Sequence, residues 1–229
     1  MSGSDPLTAL MDEITSCFAC PRLVEWRERV ATEKRAAFAT ETYWGRPVPS
    51  FGDPEARVLV LGLAPAAHGG NRTGRIFTGD RSGDFLFASM HRTGFANQPT
   101  SVSRHDGLRL SDAWIAAPVR CAPPANKPTP AERDACFPFL LRELALLERV
   151  SVTIALGGFA WDSALRAVEA MDAAKLRPKP RFAHSAEVDV GRFTLLGSYH
   201  VSQQNTFTGR LTPDMLDNIF ERARELAEG

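Results

Sequence analysis

The 229-residue chain has no apolar run approaching the roughly 20 residues that a membrane-spanning helix needs. Its first residues, MSGSDPLTAL, have neither the basic nor the apolar stretch of a secretory signal. Both absences predict a cytoplasmic protein with no membrane partner. The sequence also lacks an excess of either charge, since 27 Lys and Arg balance 27 Asp and Glu. A molecule-wide field for nucleic acid is thereby excluded, and any attraction for phosphates has to be local. From His68 to Lys127 eight basic residues stand against four acidic ones, whereas from Leu211 onward five acidic residues outnumber two arginines, as on the solvated side of a terminal helix. No internal repeat, low-complexity tract or interdomain linker is present; 177–181, Arg-Pro-Lys-Pro-Arg, reads as a stiff surface connection. Two nucleotide-binding signatures are missing as well. The glycine-rich stretch 62–83 has no closing Gly-Lys-Ser/Thr and no Gly-x-Gly-x-x-Gly.

What is present suits one α/β domain spanning 1–229, because 44% hydrophobic residues at this length suffice for a buried core without staples. Short apolar runs at 57–63, 113–119, 152–157 and 193–199 each end in a loop signal, the pattern of parallel strands buried on both faces. Helical patterns at 84–92, 130–150, 159–173 and 213–227 lie between or after them. The alternation predicts a three-layer α/β/α sandwich on a four-stranded parallel sheet, with the chemistry in the crevice at the strands' C-terminal ends. Residues 17–52 are expected to form an irregular segment wrapping one side.

Cysteine is scarce, only four residues, and the intervals between them differ widely. Cys17 and Cys20 form a Cys-x-x-Cys pair, while Cys121 and Cys136 lie far downstream, so the four meet only through the fold. In a reducing compartment this leaves a zinc site of four thiolates, slightly favoured by the spacing, or a [4Fe–4S] cluster. Four unrelated buried cysteines are the bland alternative.

Three further stretches follow expected strands: Gly62-Leu-Ala-Pro-Ala66 leading into Gly74-Arg-Ile-Phe-Thr-Gly79, Arg120-Cys-Ala-Pro-Pro-Ala-Asn-Lys127, and His200-Val-Ser-Gln-Gln-Asn205. With the cysteines, these patterns make the chain resemble the family 5 iron–sulfur uracil-DNA glycosylases from Cys17 to the terminal helix. The resemblance implies a [4Fe–4S] cluster on Cys17, Cys20, Cys121 and Cys136, in preference to zinc, which pins the N-terminal segment to the core. It further implies a base pocket holding Ala64, Phe77 and Asn205, with Phe77 stacked on the flipped base, and places Asn126 at the site. The first motif carries Leu63, Ala64 and Ala66 where many relatives have a polar water-holding residue. The family 5 pattern passes that role to Asp80, with Asp84 a helix-dipole partner.

The implied reaction is hydrolytic removal of uracil from DNA in base excision repair, by a monomeric enzyme that first turns the nucleotide out of the stack. Cleavage leaves negative charge on the base, and His200, at a strand end, is the natural donor to it. Arg72, Arg75, Lys127 and Arg210 are candidate phosphate contacts. The loop from Val201 to Arg210 resembles a minor-groove segment in which Gln203 and Gln204 fill the gap. Ala117 replaces an amide that reads uracil in family 4, and its absence predicts tolerance of hypoxanthine, xanthine or ethenocytosine. The rivals are a non-catalytic iron–sulfur nucleic-acid-binding or redox-sensing module and a zinc-containing nucleotide or nucleoside hydrolase.

Overall fold

The computed structural model describes residues 5–172 and 176–229. Six strands form one sheet: β1 (Phe51–Gly52), β2 (Val58–Leu61), β3 (Ala113–Ala116), β4 (Val152–Leu156), β5 (Glu187–Asp189) and β6 (Thr194–Ser198), in the order β1-β3-β2-β4-β6-β5. The four expected strands are its centre, pairing in parallel as β3-β2-β4-β6. Two short antiparallel strands, β1 on β3 and β5 on β6, close the edges and were too brief to read from pattern. β2 to β4 are buried at every position, as sheets covered on both faces require.

Side chains alternate between two cores. Val58, Val60, Ile115 and Ile154 point to one face, beneath α4 (Arg81–Arg92) and α8 (Pro213–Glu228), which contribute Leu86, Phe87, Met90, Leu216, Ile219 and Phe220. Leu59, Leu61, Trp114, Ala155 and Leu195 point to the other, against α1 (Pro6–Thr15), α5 (Pro130–Leu146) and α6 (Gly158–Met171). The expected helices at 84–92, 130–150 and 213–227 correspond to α4, α5 and α8. α5 stops at Leu146, four residues early, and the expected end of 159–173 at Ala173 lies outside the described residues. α5 begins with a capping box in which the Thr129 side chain accepts from the Glu132 N–H and the Glu132 carboxylate accepts from the Thr129 N–H.

The segment 17–52, expected to be irregular, contains a 13-residue helix, α2 (Pro21–Glu33). Pro21 opens it and Leu23 and Val30 are buried, but the inward position between them is Arg27, whose charge breaks the apolar period. Two further short helices, α3 (Gly70–Thr73) and α7 (Gln203–Phe207), sit in the loops after β2 and β6. The chain passes from β2 to β3 on one side and then crosses to β4 on the other. β2 is therefore the switch point of the sheet, and the crevice above its C-terminal end is where such folds bind ligands. Among the described residues no helix is long and apolar enough to cross a membrane.

Candidate active site

A cavity of about 490 Å³ opens at that switch point, lined by Ala64 after β2, Phe77 and Asp80 before α4, Asn126 after β3, and His200, Gln204 and Asn205 after β6. Phe77 and Asp80 thus share one chamber with His200, which lies more than half the chain further on. Its volume lies in the usual range of small-ligand sites. The Phe77 and His200 rings stand 6.3 Å apart between centroids, tilted by 42°. Phe77 is held with φ +54°, a left-handed conformation rare for a bulky side chain. Its ring occupies the space over Gly62, where a Cβ would approach within 2.8 Å. Gly83 accommodates its backbone, since a Cβ there would meet the Phe77 carbonyl at 1.8 Å.

Asp80 is the N-cap of α4, its Oδ1 accepting from the Gly83 N–H at 2.9 Å. Oδ2 fills the place over Gly69 that any side chain would claim. Burial raises the Asp80 carboxyl above the usual aspartate range, against the opposing pull of the Gly83 and Ser82 N–H groups. His200 packs against Gly157 at the end of β4, and burial pushes its imidazole down to about 4. It is therefore neutral near pH 7, when one ring nitrogen donates a hydrogen bond without bringing a charge. The Asn205 side chain donates to the His200 carbonyl at 2.8 Å, so it braces the histidine loop as well as bordering the cavity. Asn126 follows Ala125 in two successive left-handed residues, φ +53° and +55°. Three of the six non-glycine residues with positive φ among the described residues, Phe77, Ala125 and Asn126, border this one chamber. Strain concentrated in this way marks a functional site.

Ala66, Asp80 and Asn126 also line a longer groove of about 830 Å³ that continues past His68, Arg35, Arg81 and Gln203. Arg72 and Arg75, expected as phosphate contacts, are corrected here: both are buried and committed to the protein. Arg72 donates to the His68 and Gly79 carbonyls, each at 2.8 Å, pairs with Glu41 and lies over the Phe38 ring. Arg75 bonds Thr78, Ser101 and Asp106. Burial raises the Asp106 carboxyl, but the guanidinium and backbone N–H groups outweigh it and hold it at about 2. These arginines shape the loop that carries Phe77 and Asp80. Lys127, Gln203, Gln204 and Arg210 are exposed beside the cavity mouth or its loops, with Arg210 over the Tyr199 ring at 4.5 Å. Ala117 is fully buried one residue past β3 and is not part of the lining.

The profile of the Uracil DNA glycosylase superfamily matches residues 49–224. The chain belongs to the uracil-DNA glycosylase superfamily. It is 56% identical to the type-5 uracil-DNA glycosylase of Mycobacterium bovis over 98% of its own length and 83% of that protein. The corresponding figures are 54%, 98% and 97% for the type-5 enzyme of Mycobacterium leprae, and 50%, 96% and 97% for that of Thermus thermophilus. It is 34% identical to the type-4 uracil-DNA glycosylase of Thermotoga maritima over 48% of its own length and 49% of that protein.

In this member of the superfamily, Cys121 and Cys136 are buried with Leu23 and Val119 beside Cys20, and the Cys17 sulfur is an electrostatic neighbour of all three of the other thiols. Burial, reinforced by neighbouring sulfurs, pushes the Cys20 thiol up to about 11, and burial pushes Cys121 up to about 12 against the opposing pull of Arg27. Thiols held protonated in this way ionise together only around a cationic centre, and the all-sulfur donor set of Cys17, Cys20, Cys121 and Cys136 fits an iron–sulfur cluster. Among the described residues no three His, Cys, Asp or Glu are spaced to hold a single metal ion.

Two groups near the glycosylase cavity were missed by the sequence reading. Arg35 and Arg81 line the groove with exposed side chains. Phe207, at the end of α7, is 67% exposed and lies under the Arg81 guanidinium. The one aromatic in the polar run from Ser202 to Arg210 was its only signal.

Proposed function

We propose that this protein is a monofunctional glycosylase that turns uracil out of DNA and hydrolyses its N-glycosidic bond, leaving an abasic site without strand scission. The observation that carries the reading is the meeting of Phe77, Asp80 and His200 in one chamber at the sheet's switch point. Cleavage develops positive charge on the sugar and negative charge on the base, so a site stabilising both lowers the barrier. Phe77 offers its face to the extruded base. His200, a neutral donor, hydrogen-bonds the base oxygen as charge builds there. Asp80, with one oxygen fixed by the helix cap, uses the other to hold the attacking water and stabilise the sugar cation; Asn126 assists from the opposite loop. Among the described residues the lining contains no lysine, which favours water over an amine nucleophile.

Arg35, Arg81, Lys127 and Arg210 take the phosphates on either side, and α7 enters the space the base leaves. Phe207 is the better wedge there, with Gln203 and Gln204 meeting the bases around it. An apolar ring replaces lost stacking where an amide does not. Cys17, Cys20, Cys121 and Cys136 hold a [4Fe–4S] cluster whose contribution is to pin α2 to the loop after β3. The enzyme acts as a cytoplasmic monomer with the whole chain as one domain. A chamber of about 490 Å³ whose amides, among the described residues, are only Asn126, Gln204 and Asn205 also favours other deaminated bases, hypoxanthine first. Incubation with a duplex bearing one uracil, followed by alkali, gives a break at that position with the parent protein and none with Asp80→Ala or His200→Ala. Intact DNA with the parent sinks the proposal, and a borohydride-trapped adduct sinks its hydrolytic half. Equal treatment of a hypoxanthine duplex tests the breadth.

A further inference from the structure

Two arginines among the described residues have essentially no solvent contact, and they are met differently. Arg120 is paired with the Glu143 carboxylate and with Ser50. Arg27, with no exposed surface, has no carboxylate at hydrogen-bond distance; the nearest, Glu28 Oε1, is 4.0 Å away on a side chain that is 54% exposed. Its Nη1 donates instead to Cys121 Sγ at 3.0 Å, and both Nη atoms reach the Cys17 carbonyl at 3.2 Å. The Phe18 ring covers the guanidinium at 4.9 Å, and its buried Nε has no hydrogen-bond partner. A guanidinium stays charged wherever a protein puts it, and a buried charge without a counter-ion is strongly disfavoured. Neutral thiols do not supply that counter-ion. Four thiolates around an iron–sulfur cluster do, because the assembly is anionic overall.

We propose that Arg27 is the counter-charge of the cysteine-bound cluster, hydrogen-bonded to the Cys121 sulfur, and that it sets both how long the cluster is retained and its reduction potential. Arg27 is a positioning residue, lining neither the chamber nor the groove. The proposal rests on the iron–sulfur reading above, and one experiment separates the two.

The parent, R27K, R27Q and the surface control R29Q are purified without oxygen, assayed for iron and sulfide, and exposed to a chelator while the visible absorption decays. R27Q should bleach about 10–100-fold faster than the parent, the usual effect of removing an outer partner of a metal ligand. R27K and R29Q should bleach at close to the parental rate. Any cluster that survives in R27Q should titrate at a more negative potential, since a positive charge beside its sulfur has gone. A parent free of iron and sulfide defeats the cofactor reading itself. A loaded parent with R27Q indistinguishable from it in decay and potential, or R27K bleaching as fast as R27Q, overturns the role of Arg27 alone.

Discussion

Asp80 both caps α4 and faces the chamber, so its substitutions separate two effects. Asn remains a good cap, and Asp80→Asn should lower single-turnover excision by about 10²–10⁴-fold while denaturant melts shift little. Asp80→Ala should add a stability loss of about 1 kcal/mol. The pH profile follows from the same carboxyl. In the proposed role it works ionised, and burial raises its pKa, so excision should fall as pH drops through a value above the usual aspartate range. That acid limb should be absent in Asp80→Asn. His200 gains a proton only near 4, and His200→Ala should cost about 10²–10³-fold in rate across the neutral range. At this scale the gathering of Phe77, Asp80, Asn126 and His200 was legible because each lies in a loop that leaves the C-terminal end of a central strand. The sequence did not reveal which way Arg72 and Arg75 point, since side-chain direction depends on Glu41 and Asp106, contributed by other loops.

α2 ties the cysteine site to two of the loops that line the chamber. Its Arg22 grips Glu132 at 2.7 Å through Nε and reaches the Lys127 carbonyl at 3.2 Å, next to Asn126. Its Arg27 carbonyl accepts from the Asn71 side chain at 3.1 Å, inside the loop that leads to Phe77. Asn71→Ala leaves that carbonyl only its bond within α2 and should destabilise the protein by about 0.5–1.5 kcal/mol in a denaturant melt. An unchanged midpoint would show that α2 does not brace the loop. The four central strands were legible because they are apolar on both faces, whereas β1 and β5 are only two and three residues long. α2 escaped notice because the residue that should have completed its apolar stripe is Arg27.

The whole molecule carries no net charge, so DNA affinity has to come from the groove. The slope of log affinity against log salt should fall by about 1 for each of Arg35→Ala and Arg81→Ala, and stay parental for Arg142→Ala, whose partner is Glu13 on another face. Phe207→Ala should leave the salt slope unchanged yet slow excision from duplex more than from single-stranded DNA, because only a duplex has stacking to replace. Equal slowing on both substrates would remove the wedge role.

The left-handed backbone at Phe77, Ala125 and Asn126 also limits how the enzyme can be improved. Glycine would relax all three turns, yet at Phe77 it deletes the proposed stacking face and at Asn126 the proposed assisting amide. Only Ala125→Gly relieves the tension without touching a working group, so a thermostabilised variant has one safe concession at the rim and two where durability and turnover are set against each other.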